Sequence, residues 1–171
     1  MEMRGTDIPE PVFTDTLQVA LVVRDLDAAL QTFVYEYGVG PWNIMEMGPG
    51  AIDGLVHDDE PAEFSMRIAL AMIGNVQWEL IQPTDDQGPY AEFLATKGEG
   101  LHHVGMAVRD YDEALGRLRE KGHSVHIGGV YQGIRLSYMS TDRDLGAITE
   151  IFDFPEGHVP TPDSVYPPET S

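Results

Sequence analysis

Four polar residues carry the chemistry this chain could do: Gln18, Glu79, His103 and Glu150. Each interrupts an apolar run that reads as a strand. Gln18 lies in LQVALVV, His103 in LHHVGMAV, Glu79 in WELIQP and Glu150 in TEIFDFP. A carboxylate is rarely buried without a partner or a metal. One imidazole nitrogen and three oxygens suit a divalent cation of intermediate hardness, and two carboxylates neutralise its charge. Two further coordination positions could stay open for water or substrate, the mark of a catalytic rather than a structural metal. Taken singly, His103 reads as a satisfied core histidine, and the two glutamates read as edge-strand carboxylates facing water.

What gathers the four is an internal repeat, which has to be settled before any element is assigned. Gly100 to Leu115 reads GLHHVGMAVRDYDEAL and Leu17 to Leu30 reads LQVALVVRDLDAAL. Both run through Val-Arg-Asp into a helical Ala-Leu, at an offset of 85 residues that sets Gln18 opposite His103. The glutamate-bearing runs match in the same way. His103 shares its strand face with Gly105 and Ala107, small residues that leave room for a ligand. Strict alternation puts His102 with Val104, Met106 and Val108, on the face that packs under a helix.

The elements that must position these residues follow in order. Residues 1–14 read as an arm or a frayed end. A strand from Leu17 to Val23 leads to a helix capped by Asp25, with an apolar stripe of Leu26, Ala29, Leu30, Phe33 and Val34, ended by Gly38. Trp42 to Met47 is a strand, and Gly48 to Pro61 a Gly/Pro/Asp-rich loop. Phe64–Ile73 and Val76–Gln82 make a hairpin around Gly74-Asn75. The second half repeats β-α-β-β-β, its helix capped by Asp110 with Glu113 and its last three strands near 124–130, 134–140 and 147–154. The expected organisation is a first βαβββ module at 15–83, a linker with a short helix at 84–99, a second module at 100–155 and a tail at 156–171. The fold class is α+β, with two tandem modules forming one cupped mixed sheet.

Composition narrows the partners. With 171 residues the chain can bury a real core, and with no cysteine it has neither disulfides nor thiolate chemistry. A formal charge of −19, with only ten Lys and Arg, repels nucleic acid and anionic membrane. No apolar run approaches the roughly 20 residues needed to span a bilayer, and the N-terminus lacks a signal-peptide pattern, so a cytoplasmic location is expected. Arg135, Tyr131 and Tyr138 are candidate contacts for a substrate carboxylate or phosphate. Trp42 reads either as part of the cavity mouth or as core. His57, His123, His126 and His158 have no repeat-matched partner and read as surface.

The repeat, the paired WELIQP and ITEIFDFP strands and the stretch GPYAEFLATKGEGLHHVGM make residues 15–155 resemble the vicinal oxygen chelate superfamily. That superfamily includes glyoxalase I, methylmalonyl-CoA epimerase, extradiol dioxygenases and antibiotic-resistance binding proteins. The resemblance implies that metal ligands come from the first and last strands of both modules, here Gln18, Glu79, His103 and Glu150. It also implies a homodimer. Two departures from the epimerase pattern stand out. Gln18 occupies a position where His is common, and Arg67 lies near the place of a second acid/base carboxylate.

The function expected is a metal-dependent isomerase or lyase holding one divalent ion (Zn, Mn, Co or Ni). It would form a metal-stabilised enolate or enediolate from a small carbonyl compound, epimerase-like or glyoxalase-like. Glu150 is the expected base and Glu79 its opposite partner; Arg135, Tyr138 and Trp42 are expected at the substrate. The rivals are an extradiol-type dioxygenase, disfavoured because Gln18 replaces a second histidine, and a protein that sequesters a small molecule such as an antibiotic without chemistry.

Overall fold

A computed structural model of the chain describes residues 8–168. The first module is built from β1 (Asp15–Val22), α1 (Leu26–Tyr35), β2 (Trp42–Met47), β5 (Met66–Ile73) and β6 (Val76–Pro83), with β3 (Ile52–His57) and β4 (Glu60–Pro61) inserted after β2. α2 (Gly88–Lys97) joins it to the second module. That module comprises β7 (Gly100–Ala107), α3 (Tyr111–Glu120), β8 (Val125–Tyr131), β9 (Ile134–Met139), the short α4 (Asp142–Leu145) and β10 (Ile148–Asp153). β11 (Ser164–Tyr166) closes the described chain.

Among the described residues, eleven strands join one curved sheet in the order β11-β2-β5-β6-β1-β7-β10-β9-β8-β3-β4. The repeat sets its centre. β1 and β7 lie antiparallel side by side, β6 runs parallel to β1, and β10 runs parallel to β7. The four ligand-bearing strands are therefore the four central ones. Ala20 pairs with Glu79 and, at the matched place, Gly105 pairs with Glu150.

The helices begin where the capping residues place them. The Asp25 carboxylate accepts from the Ala28 N–H at 3.0 Å, and Asp110 accepts from the Glu113 N–H at 2.8 Å, each satisfying a donor of the first turn. α1 buries Leu26 and Leu30 against Trp42, Ile44, Ala69 and Leu80. α3 buries Tyr111, Ala114 and Leu118 against Val125, Met139 and Ile151. Both cover the convex face. The concave face carries a third apolar cluster, including Met45, Met47, Met66, Ile68, Ile127 and Tyr138, with Tyr90 of α2 packed onto it.

Two expectations are corrected. Residues 48–61 do not stay a loop: β3 crosses from the first module to pair with β8 of the second. The segment after 155 is not a free tail, because β11 folds back and pairs with β2 of the same chain. Of the N-terminal arm, residues 1–7 lie outside the described residues. Val12 and Phe13 pack beside the α3 cluster, and the Thr14 N–H donates to the Ala107 carbonyl at 2.9 Å.

Candidate metal centre

The repeat brings its four polar residues together on the concave face. His103 is completely buried, and Gln18, Glu79 and Glu150 are each at most 6% exposed. His103 Nε2 lies 2.9 Å from Glu150 Oε2, 3.4 Å from Glu79 Oε2 and 3.3 Å from Gln18 Oε1. One ring nitrogen thus faces three oxygens, the convergence a cation requires. Gln18 is held carbonyl-inward because its amide N–H donates to Gln77 Oε1 at 2.8 Å.

The carboxylates and the imidazole set one another's charge. Burial alone would lower His103, but hydrogen bonding to Glu150 and the charges of Glu150 and Glu79 override it and hold the imidazole at about 9. Burial pushes the Glu150 carboxyl up to about 7, against the opposing pull of His103. An N–H directed at Glu150 cannot also satisfy Glu79. Its 3.4 Å contact is therefore electrostatic, and Glu79 Oε2 is left buried without a hydrogen-bond partner. An orphaned buried carboxylate oxygen beside an imidazole is a costly arrangement that a divalent ion would resolve. The residues fit such an ion. Gln18, Glu79, His103 and Glu150 supply one nitrogen and three oxygens, and the two carboxylates balance its charge.

Strict alternation fails at one informative place. The β1–β7 register shifts between Ala20/Leu21 and His103/Leu101, leaving His102 without a partner. This bulge turns His102 away from α3 and beside His103, with the two Nδ1 atoms 3.1 Å apart. The His102 ring packs against Tyr90 and Phe93 of α2 at 5.0 and 5.1 Å between centroids. Burial and the neighbouring His103 push it down to about 3, so it is neutral and can accept through Nδ1. His103 then donates from Nδ1 and presents Nε2 to the oxygens, the outer-shell contact that fixes a ligand tautomer. The His-His doublet was the available signal, and the bulge hid its meaning.

A cavity of about 210 Å³ opens beside the cluster, lined by Gln18, Glu79 and Glu150 together with Tyr90, Tyr138 and mostly apolar residues. Tyr138 lines it, and Tyr90 donates a hydrogen bond to the Tyr138 hydroxyl at 2.9 Å. Burial drives both phenols well above their ordinary range, so both stay protonated. Arg135 and Trp42 are not brought to the cavity. Ile134, Leu136 and Tyr138 line it, so Arg135 points to the opposite face of β9. There it pairs with Asp112 and Asp153 over the Tyr111 ring. Trp42 lies under α1, its ring N–H donating to the Val39 carbonyl at 2.8 Å. Arg67 likewise faces outward to Asp27 and Glu46, while Met66 and Ile68 hold the cavity side of β5.

The fold agrees with what comparison finds. Residues 17–139 match the family model described as the glyoxalase/bleomycin resistance protein/dioxygenase superfamily, and the chain belongs to that superfamily. A hypothetical protein, BH1468 from Bacillus halodurans C-125, superimposes with a TM-score of 0.66 at 19% identity, covering 85% of this chain and 98% of that one. Methylmalonyl-CoA epimerase from Mycobacterium tuberculosis superimposes with a TM-score of 0.60 at 23% identity, over 85% and 91% of the two chains. At these identities the likeness is one of fold. A Bacillus subtilis relative, the uncharacterized protein YqjC, is 32% identical over 66 residues. These are 39% of this chain and 47% of that protein, so the match spans about half the relative's length.

Proposed function

We propose that this protein is a divalent-metal-dependent isomerase or lyase that moves a proton on the carbon beside a carbonyl in a small, largely apolar substrate. One observation carries the reading: a buried His103 with Gln18, Glu79 and Glu150 around a single nitrogen, one carboxylate oxygen orphaned, opening onto a mostly apolar cavity. A divalent ion held there would supply Lewis-acid polarisation of the substrate oxygens.

The chain's own groups do the rest. Glu150 takes the proton, since its carboxylate lines the cavity and its burial raises its basicity. In a rearrangement Glu150 returns that same proton to the neighbouring carbon; in an epimerisation Glu79, across from it, would enter the cycle protonated and deliver its proton to the other face, with exchange against solvent resetting the pair. Tyr138, protonated and with its own O–H unspent on any protein acceptor among the described residues, donates to a substrate oxygen. Met45, Met66, Ile68 and Leu136 exclude water from the reacting carbon.

The lining also speaks to the substrate. Among the described residues no Lys or Arg lines the cavity; Arg67 and Arg135 are tied to carboxylates on the convex face. A free carboxylate or phosphate would find no Lys or Arg there to offset its desolvation, and the charge of an ion at the centre would already be balanced by Glu79 and Glu150. The reading is therefore a neutral carbonyl compound rather than a dicarboxylic acyl-CoA.

The test is solvent deuterium incorporation into a panel of neutral carbonyl compounds by metal-loaded protein, followed by mass spectrometry. Glu150→Gln keeps an oxygen ligand of the same shape and should retain its metal while losing about 10²–10⁴-fold in exchange. Wild-type exchange by a metal-retaining Glu150→Gln protein would remove Glu150 from the mechanism. Tight binding of a compound without exchange in the wild-type protein would mark a sequestering protein instead.

A further inference from the structure

The strap formed by β3 and β4 ends in a second group of ligating side chains that shares no residue with the central cluster. β3 and β4 are joined by the two-residue turn Asp58-Asp59, with His57 paired to Glu60. Both turn residues have positive φ, 51° and 65°, the left-handed pair that a tight two-residue hairpin needs and that Asp tolerates better than most residues. The turn is pinned to the second module, since the Asp58 N–H donates to the His126 carbonyl at 2.9 Å.

His126 is itself in a special place. The β8–β9 register shifts between Val125 and Ile127, so His126 sits at an irregularity and is released from regular pairing. Its Nδ1 lies 2.6 Å from Asp58 Oδ1, and His57 Nε2 lies 3.5 Å from Asp58 Oδ2. The two imidazole rings are 4.9 Å apart, and one ligating atom from each of the three residues falls within 4.8 Å of the others. Two half-buried imidazoles and one exposed carboxylate, drawn from β3, its turn and β8, thus converge across the seam between the modules.

We propose that His57, Asp58 and His126 form a second metal site, a clip for a borderline transition ion such as Zn²⁺, Ni²⁺ or Co²⁺, which fastens the strap to the second module. Two nitrogens and a carboxylate are the donor set such ions prefer over Ca²⁺ or Mg²⁺. The clip matters to the cavity because the other end of the strap walls it: Ile52 lines the cavity, and a Cβ on Gly129 of β8 would come within 2.5 Å of Ile52 Cγ2. Gly129 lets the strap lie that close, and the clip holds its far end in place.

The experiment uses the full chain, stripped of metal and titrated with Co²⁺, with visible absorption and mass spectrometry giving the number of ions bound. Wild type should bind two ions per chain. Asp58→Asn, which keeps a residue tolerant of the left-handed turn, and His126→Ala should each bind one, at the central site. His103→Ala should also bind one, at the clip. Amide hydrogen exchange over residues 52–61 should slow on adding Co²⁺ in wild type and His103→Ala but not in Asp58→Asn. One ion in wild type that survives both clip substitutions, two ions in all the variants, or strap exchange indifferent to the ion would each overturn the clip.

Discussion

The metal-free centre should make this protein less stable as the solution becomes more alkaline. His103 is held at about 9 against an ordinary 6.5, so the folded chain keeps a proton there that the unfolded chain gives up. Between those two values the native state binds more protons than the unfolded state, and the free energy of unfolding falls as pH rises. A tenfold difference in proton affinity between the two states is worth about 1.4 kcal/mol, so the loss across this window is on the order of 3 kcal/mol. Glu150, raised from 4.5 to about 7, adds the same sign over its own lower window, and the two titrate as one cluster. The assay is urea unfolding of metal-stripped protein from pH 6 to 9.5. His103→Gln, which cannot titrate, serves as the reference and removes the general repulsion of a chain carrying −19. The wild-type curve should fall relative to the reference. Adding metal should invert it, because the ion needs an unprotonated imidazole and is held more tightly as pH rises. A wild-type stability that is flat or rising relative to His103→Gln between pH 6.5 and 9, without metal, would refute the charge assignment.

Other substitutions follow from the same geometry. His102→Phe keeps the ring against Tyr90 and Phe93 but removes the Nδ1 acceptor; Co²⁺ titration should show about 10–100-fold weaker binding at the centre with the fold retained. Gly105→Ala places a Cβ 2.7 Å from Gln18 Cβ and 2.9 Å from Phe152 Cε2, so chemical denaturation should register a loss of about 1–3 kcal/mol and the centre should bind metal less tightly. A homodimer, proposed on the family resemblance, should give twice the 18.9 kDa chain mass by light scattering; a constant 18.9 kDa across a wide concentration range would exclude it.

The central half of this molecule was legible because the repeat and the two-residue strand period act locally. Val19 aligned with Val104 places Gln18 near His103, and β1 and β7 indeed pair there. The same period, pressed further, separates Arg135 from Tyr138: three residues apart on one strand, they must face opposite ways, and only Tyr138 meets the cavity. What stayed hidden depends on partners far along the chain. Ile52–His57 lies between glycines, prolines and aspartates and becomes a strand only because β8 offers it an unpaired edge. His102 reads as a convex-face residue until the mismatch between β1 and β7 turns it inward. His57 and His126 are 69 residues apart, and no local pattern relates them.

The two ends of the sheet have a further consequence. An exposed strand edge is a template on which another chain can grow, and long apolar edges promote aggregation. Here the outermost strands are the shortest: β4 is only Glu60–Pro61, and β11 is only Ser164–Tyr166. Pro61 has no N–H to offer, and Asp58, Asp59 and Glu60 crowd that rim with negative charge. At the opposite rim Pro167 and Pro168 follow β11 at once. An incoming strand would find only a two-residue ladder on β4 and a three-residue ladder on β11 to join. Both rims of the described sheet are thus poor templates for a further strand.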